Sequence, residues 1–270
     1  VSADAVRLWT SSGSLGNDIV YSEEEFRNAN KLINKIWNAA KFVIMQLEGF
    51  EKKDDNGNPV TLNPFNKEDS VELMHMDKWI IASFNKMLNR FENYLSKYEL
   101  GLAIGELEKF FWSYCDDYIE IIKNRVYKPE IYGENARKSG LYAAYHTLLG
   151  LIKCFAIYIP HVTEEIYQGY FVNFEDAVSV HRAIIAPISV SSEFTANEFE
   201  IGETALKIIS ELRRYKSEKN LSLKTEIDDV EITLPKNIVL GDALDDVKAT
   251  CSCKNITIKD GDNLAVVIND

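Results

Sequence analysis

A chain of 270 residues that is 46% hydrophobic can bury a sizeable core, as one large domain or two smaller ones, so wholesale disorder is excluded. Its formal net charge of −12 argues against non-specific nucleic-acid binding, which draws on a basic excess, and leaves only local basic ridges for an anionic partner. No apolar run approaches the roughly 20 residues of a membrane span, so no membrane partner is expected.

From the N-terminus, VSADAVRLWT lacks the basic region and continuous apolar core of a signal peptide, and a start on Val1 suggests an excised or processed chain. After a short helix from Asp4 to Trp9, the Ser- and Gly-rich stretch ending in SSGSLGNDIVY makes residues 1–20 a connector from something upstream. Ser22 followed by Glu23, Glu24 and Glu25 is a helix start: a capping hydroxyl, a glutamate three residues on, and acids at the positive end of the dipole. That helix runs to about Glu48. A loop with Asn56-Gly57 and two prolines follows it.

Periodicity then predicts helices over roughly Val71–Tyr98, Glu99–Val126 and Asn135–Tyr158, and a short one over Thr163–Tyr170. Gly101 and Gly105 are expected to allow close packing in the second of these. Long amphipathic helices with few strands predict a mainly α fold, an antiparallel bundle over 21–190. From Ala196 the pattern changes. A helix over Asn197–Lys219 is followed by period-two runs at Val230–Leu234, Asn255–Ile258 and Leu264–Ile268, which predict a small α+β appendage over 196–270. Residues 220–270 hold ten acids and five lysines, a poor primary grip on phosphate.

Catalytic signatures are missing: no glycine-rich phosphate loop, GxSxG elbow or HExxH occurs. Asp116, Asp117 and Glu120 lie beside Lys123 and Asn124 on a helix surface, where ion pairing outweighs a metal or acid–base role. The histidines His75, His146, His161 and His181 lack i,i+4 ligand partners. Cys115, Cys154, Cys251 and Cys253 form no paired CxxC, so reduced thiols in a cytoplasmic protein are expected, with no metal and no cofactor in this chain. The run Phe110–Tyr114 reads as helix core rather than a base platform.

One surface resists the bland reading. On a helix from Arg27 to Leu47, Ala29, Ile33, Ile36, Ala40, Val43 and Leu47 form an apolar stripe. Arg27, Lys31, Asn34, Asn38 and Lys41 line the opposite side, Lys35 and Phe42 lie along one edge, and Trp37 falls at the core margin. A ridge of bases and amides with a ring at its border suits single-stranded RNA: the cations neutralise phosphates, the amides read base edges and Phe42 stacks. Further along, Arg213 and Lys216 are candidate RNA contacts, weighed against a solvated face. There Arg214 can pair with Glu211 and Glu218, and Lys207 with Glu211.

Several segments in order are similar to the C-terminal, anticodon-binding part of class I aminoacyl-tRNA synthetases of the valyl, isoleucyl and leucyl group. Ser2–Arg7 resembles the family's GADALR, Asn34–Phe42 its NKLWNAARF, Asp77–Ile81 its DRWIL, Phe110–Lys123 its FFWNDFCDWYLELIK, and Ile159–Glu165 its MPFITEE. Within the group the likeness is nearest to valyl enzymes of archaeal type, on Gly13–Ile19, His161 and the helix end Arg213–Glu218. Ala186-Pro187 and the residues around Phe155-Ala156 depart from the pattern and weaken the choice of amino acid more than that of family. The resemblance implies a parent enzyme that uses ATP and Mg²⁺ to attach valine to its tRNA and edits mischarged threonine. Its active sites would lie upstream, and this chain would be a tRNA-binding part, monomeric, with no DNA role. Isoleucyl or leucyl specificity remains the alternative, as does a helical protein-interaction module whose acidic surface meets a basic partner.

Overall fold

The computed structural model describes residues 2–13, 16, 18–47, 71–189 and 195–269, together with the backbone of two short strands, β1 (Lys52–Lys53) and β2 (Pro59–Val60), which pair antiparallel. The rest of the loop predicted after Glu48, Asn56-Gly57 included, lies outside the described residues. The helices are α1 (Ala3–Ser11), α2 (Glu23–Leu47), α3 (His75–Ser96), α4 (Leu100–Ser113), α5 (Ile119–Tyr127), the single turn α6 (Pro129–Tyr132), α7 (Glu134–Phe155), α8 (Pro160–Gly169), α9 (Ala196–Glu218) and α10 (Ala243–Cys251). Strands β3 (Ile227–Pro235), β4 (Cys253–Gly261) and β5 (Ala265–Asn269) form one sheet. Helices followed by a small α+β part are what the sequence pattern predicts. Among the described residues no helix is long and apolar enough to cross a membrane.

Two compact units are present, and neither is continuous in sequence: one takes 1–70, 84–113 and 141–189, the other 71–83, 114–140 and 190–270. In the first, Ser2 caps α1 and Ser22 caps α2, each through a side-chain oxygen accepting a backbone N–H three residues on, at 3.2 and 3.3 Å. Helix α2 buries Phe26, Ala29, Leu32, Ile36, Ala40, Val43 and Leu47. Leu32 thus takes the core place expected of Ile33, which is only half-buried. Gly101 lets α4 approach α1, since a Cβ there would stand 2.8 Å from the Ser12 carbonyl oxygen. At Gly105 nothing lies within 4 Å, so it does not serve the close packing expected of it. Asp4 is buried on α1, and its carboxylate accepts from the backbone N–H groups of His161 (3.3 Å) and Val162 (2.8 Å) at the start of α8. It also meets His161 Nδ1 at 2.7 Å. Arg7, one turn on, donates to the carbonyls of Tyr158 and Ile157 just past α7. One short helix therefore satisfies the orphan donors of α8 and orphan acceptors beyond α7.

The helix predicted over 99–126 contains a π turn at Tyr114–Tyr118. The extra residue of that turn brings Tyr114, Cys115 and Tyr118 all to buried positions, with the two tyrosine rings stacked at 6.0 Å. In this second unit Tyr118 donates to Asp77 Oδ1 at 2.7 Å. Arg125, 1% exposed, grips the same carboxylate with two parallel bonds, Nη1 to Oδ2 at 2.8 Å and Nη2 to Oδ1 at 2.9 Å, while Ser139 also donates to Oδ2. Asp246 of α10 lies 2.9 Å from Arg125 Nε. The sheet has β3 in the middle, parallel to β4 through the α10 crossover and antiparallel to β5. Val230 pairs with Ile256 and Ile268, and Ile232 with Ile258 and Val266, so one face is apolar. Gly202 of α9 lets the Trp79 ring lie against the helix backbone, where a Cβ would come within 2.3 Å of it.

Two carboxylates share Arg125 unequally. Asp77 takes both forks of the guanidinium, and burial, aided by Asp77, pushes the Asp246 carboxyl well above its ordinary value despite the cation. Asp77→Ala should therefore cost about 3–5 kcal/mol by stranding a buried cation, whereas Asp246→Asn, which removes a carboxylate whose ionised form burial disfavours, should leave stability unchanged or raise it, measured by urea unfolding at pH 8. Burial also drives the His146 imidazole on α7 down to about 4. Below pH 6.5 the unfolded chain takes up a proton that the folded one refuses. Stability should therefore fall between about pH 6.5 and 4, by up to roughly 3 kcal/mol. Melting curves at pH 7.5 and 4.5 should show a smaller acid loss in His146→Gln than in the wild type.

Candidate nucleic-acid interface

Helix α2 buries one stripe and turns the other to solvent, which makes the ridge a by-product of core packing. Arg27, Lys31, Asn34, Asn38 and Lys41 are all exposed, and Lys35 and Phe42 are half-buried at its edge, the arrangement that 3.6-residue spacing predicts. Lys35 Nζ stands 5.6 Å from the centre of the Trp112 ring, within cation–π range. The cations are not equally available. Arg27 is tied to Glu23 at 3.3 Å, one turn back, and Lys31 reaches Asn28 Oδ1 at the hydrogen-bond limit of 3.5 Å. Asn34 and Asn38 have no hydrogen-bond partner among the described residues, so their amides are open to an incoming base edge. Trp37 is 44% exposed and Met45 54% exposed, further out than a core-margin place for Trp37 implies. One turn separates Trp37 from Asn34 on one side and from Lys41 on the other, so the same spacing argument reaches it once the indole is allowed to face solvent.

The second proposed patch divides. Arg213 Nη1 lies 3.4 Å from Asp117 Oδ1 and 3.4 Å from the Asp116 carbonyl oxygen, at a half-exposed position. Arg214 makes the ion pairs with Glu211 and Glu218 that its spacing predicts. Lys216 is a correction. It is 1% exposed, and its ammonium donates to the carbonyls of Leu223 (2.8 Å), Thr225 (2.6 Å) and Cys251 (2.7 Å). With three donors used on three backbone acceptors, it ties loop and helix ends together and has nothing left for a phosphate.

The remaining polar clusters are structural. Glu120 pairs with Lys123 and Asp117 with Arg213, as expected of a helix surface. His75 meets Asp242 and His161 meets Asp4, both at 2.7 Å. Glu164 accepts from Ser179 Oγ and the Val180 N–H, fixing the turn that follows α8. Phe110, Phe111 and Tyr114 are core, and only Trp112 of that run reaches the surface. Among the described residues no group of His, Cys, Asp and Glu is placed to hold a metal ion.

A sequence-family profile described as the anticodon-binding domain of tRNA ligase matches residues 77–232. The chain belongs to this family of anticodon-binding domains of tRNA ligases. Similar full-length proteins are the valine–tRNA ligase of Rickettsia canadensis, 33% identical over 97% of this chain and 31% of that protein, and that of Rickettsia conorii, 33% identical over 94% and 30%. The valine–tRNA ligase of Wolbachia pipientis is 33% identical over 94% of this chain and 27% of that protein. The chain thus spans less than a third of the length of these relatives.

Because Lys216 is a strut, Lys216→Met should lower stability by about 3 kcal/mol or more, by leaving three carbonyls unpaired in a buried corner. Arg213→Ala, by contrast, should change it by less than about 1 kcal/mol. Chemical denaturation of both variants compares them directly.

Proposed function

We propose that this chain is the tRNA-binding part of a valine–tRNA ligase, holding the anticodon arm on the outward ridge of α2. The observation that carries this reading is the ridge itself: exposed Arg27, Lys31, Asn34, Asn38 and Lys41 bordered by half-buried Lys35 and Phe42, on a chain of the anticodon-binding family. Phe42 is half-buried at the border of the ridge, where a base stacked on its ring would gain about 1–3 kcal/mol. Asn34 and Asn38 present donor and acceptor together to Watson–Crick edges of splayed bases, and Lys31, Lys35 and Lys41 neutralise phosphates. Arg213 is a second phosphate contact only at the expense of its pairing with Asp117.

In this reading residues 1–20 connect from an upstream catalytic domain of the same chain, 21–190 form the anticodon-binding bundle and 196–270 a small α+β domain. The protein works as a cytoplasmic monomer, with no DNA or membrane partner. Valine is taken from the relatives' names, with isoleucine or leucine as the alternative. Those relatives are bacterial, so the archaeal-type branch rests on the resemblance of Gly13–Ile19, His161 and Arg213–Glu218 alone. In the same reading, activation of valine with ATP and Mg²⁺ and editing of threonine belong to other parts of the ligase.

Filter binding to a valine-accepting tRNA tests the assignment. Phe42→Ala should weaken binding by roughly 5- to 150-fold, as loss of ~1–3 kcal/mol of stacking requires, and Lys41→Ala should reduce the slope of log K against log salt by about 0.7. Unchanged affinity in both variants would sink the ridge. Capture of a basic protein in place of tRNA would favour an interaction module.

A further inference from the structure

A cleft of about 400 Å³ opens beside the ridge, between α1, α2 and α4, and within the range of small-molecule sites. Trp9 and Trp112 both line it, with Asn28, Lys31, Glu25 and Glu108. Its mouth is continuous with the ridge, because Lys31 belongs to both and Lys35 lies over the Trp112 ring. Indoles offer flat apolar walls, and their faces favour electron-poor rings and cations.

Glu108 is the unusual member. Its carboxyl is half-buried and has no hydrogen bond or ion pair among the described residues. Burial first, and then the charge of Glu25, push it above its ordinary value. A structural role would have supplied it with a donor, as Asp77 is supplied by Arg125, Tyr118 and Ser139. An acceptor without a protein donor, recessed beside two indoles, leaves its lone pairs to solvent or to the donor of a ligand.

Resting on the tRNA-binding reading above, we infer that this cleft receives one unstacked base of the bound RNA, with its ring against Trp112, its amino-bearing edge donating to Glu108 and its phosphate at Lys31. Cytosine, adenine and guanine each carry an exocyclic amine that a carboxylate accepts from, and uracil carries none. The cleft therefore favours an amino-bearing base over uracil, whose N3–H is its sole Watson–Crick-edge donor, at one position, and this position differs from the base that stacks on Phe42.

Chemical probing of Watson–Crick edges in a valine-accepting tRNA bound to the whole chain tests this, with dimethyl sulfate for adenine and cytosine, kethoxal for guanine and carbodiimide for uracil. One amino-bearing base should be protected by the wild type and exposed again in both Glu108→Ala and Trp112→Leu. Filter retention should fall roughly tenfold in each. Glu108→Ala should melt no lower than the wild type, because the carboxylate it removes is unpaired and beside Glu25, so a loss of protection is not a loss of fold. Phe42→Ala should leave that protection in place in the fraction still bound. Retention of tRNA with a footprint identical in wild type and both cleft variants overturns the cleft while leaving the ridge. A protected uracil overturns it too, and failure of the wild type to retain tRNA overturns both.

Discussion

Asp77 leaves water entirely, and that desolvation is tolerable only because Arg125 meets it with both forks while Tyr118 and Ser139 fill the remaining lone pairs. A buried carboxylate so surrounded fixes where α3 begins, how the π turn faces, and where α5 and the first turns of α7 around Ser139 lie within their unit, since any shift of one leaves a charge unmatched in a dry interior. Asp4 plays the corresponding part in the other unit: one carboxylate stands in for the missing partners of the first amides of α8, 157 residues away. In each unit a fold of long helices, whose apolar stripes alone allow sliding and rotation, is given one register by a charge that cannot be moved.

These joints explain what the family-like segments are for. The segment around Asp4 meets the one around Pro160-His161, and the segment around Asp77 meets Tyr118. Four of the five stretches that carry the resemblance are thus partners of one another, brought together by folding and not by a ligand. The fifth, Asn34–Phe42, turns Asn34, Asn38 and Lys41 to solvent. The resemblance thus identifies the scaffold through its internal contacts.

Much of this was legible in the sequence because it depends on period alone. Helix positions, the strand runs at Val230–Leu234 and Asn255–Ile258, and the polar face of α2 follow from 3.6- and two-residue spacing, and the structure has them where spacing puts them. Features that depend on tertiary partners were not. The π turn shows no sequence break, since Tyr114 and Tyr118 look like ordinary core residues four apart. Helix α10 is short, and Asp242, which could have announced it as a cap, spends its carboxylate on His75. Glu108 looks like any helix-surface acid, and only the neighbouring indoles show that it is recessed. Lys216 misled for the same reason, because a lysine after two arginines signals a charged surface unless the chain beyond it folds back over the ammonium.

That fold-back makes Lys216 a tethered cation. Three carbonyl oxygens at 2.6–2.8 Å coordinate its nitrogen much as they would a monovalent ion in a binding loop, but the ion is covalently supplied by α9. The corner joining α9, the turn before β3 and the end of α10 therefore needs no dissolved salt to neutralise its carbonyl dipoles. Surface lysines release a polyanion as ionic strength rises, and this one keeps its ligands. The same residue type thus stands in opposite settings in the chain, solvent-exposed at Lys31 and Lys41 of α2 and held by three carbonyls at Lys216.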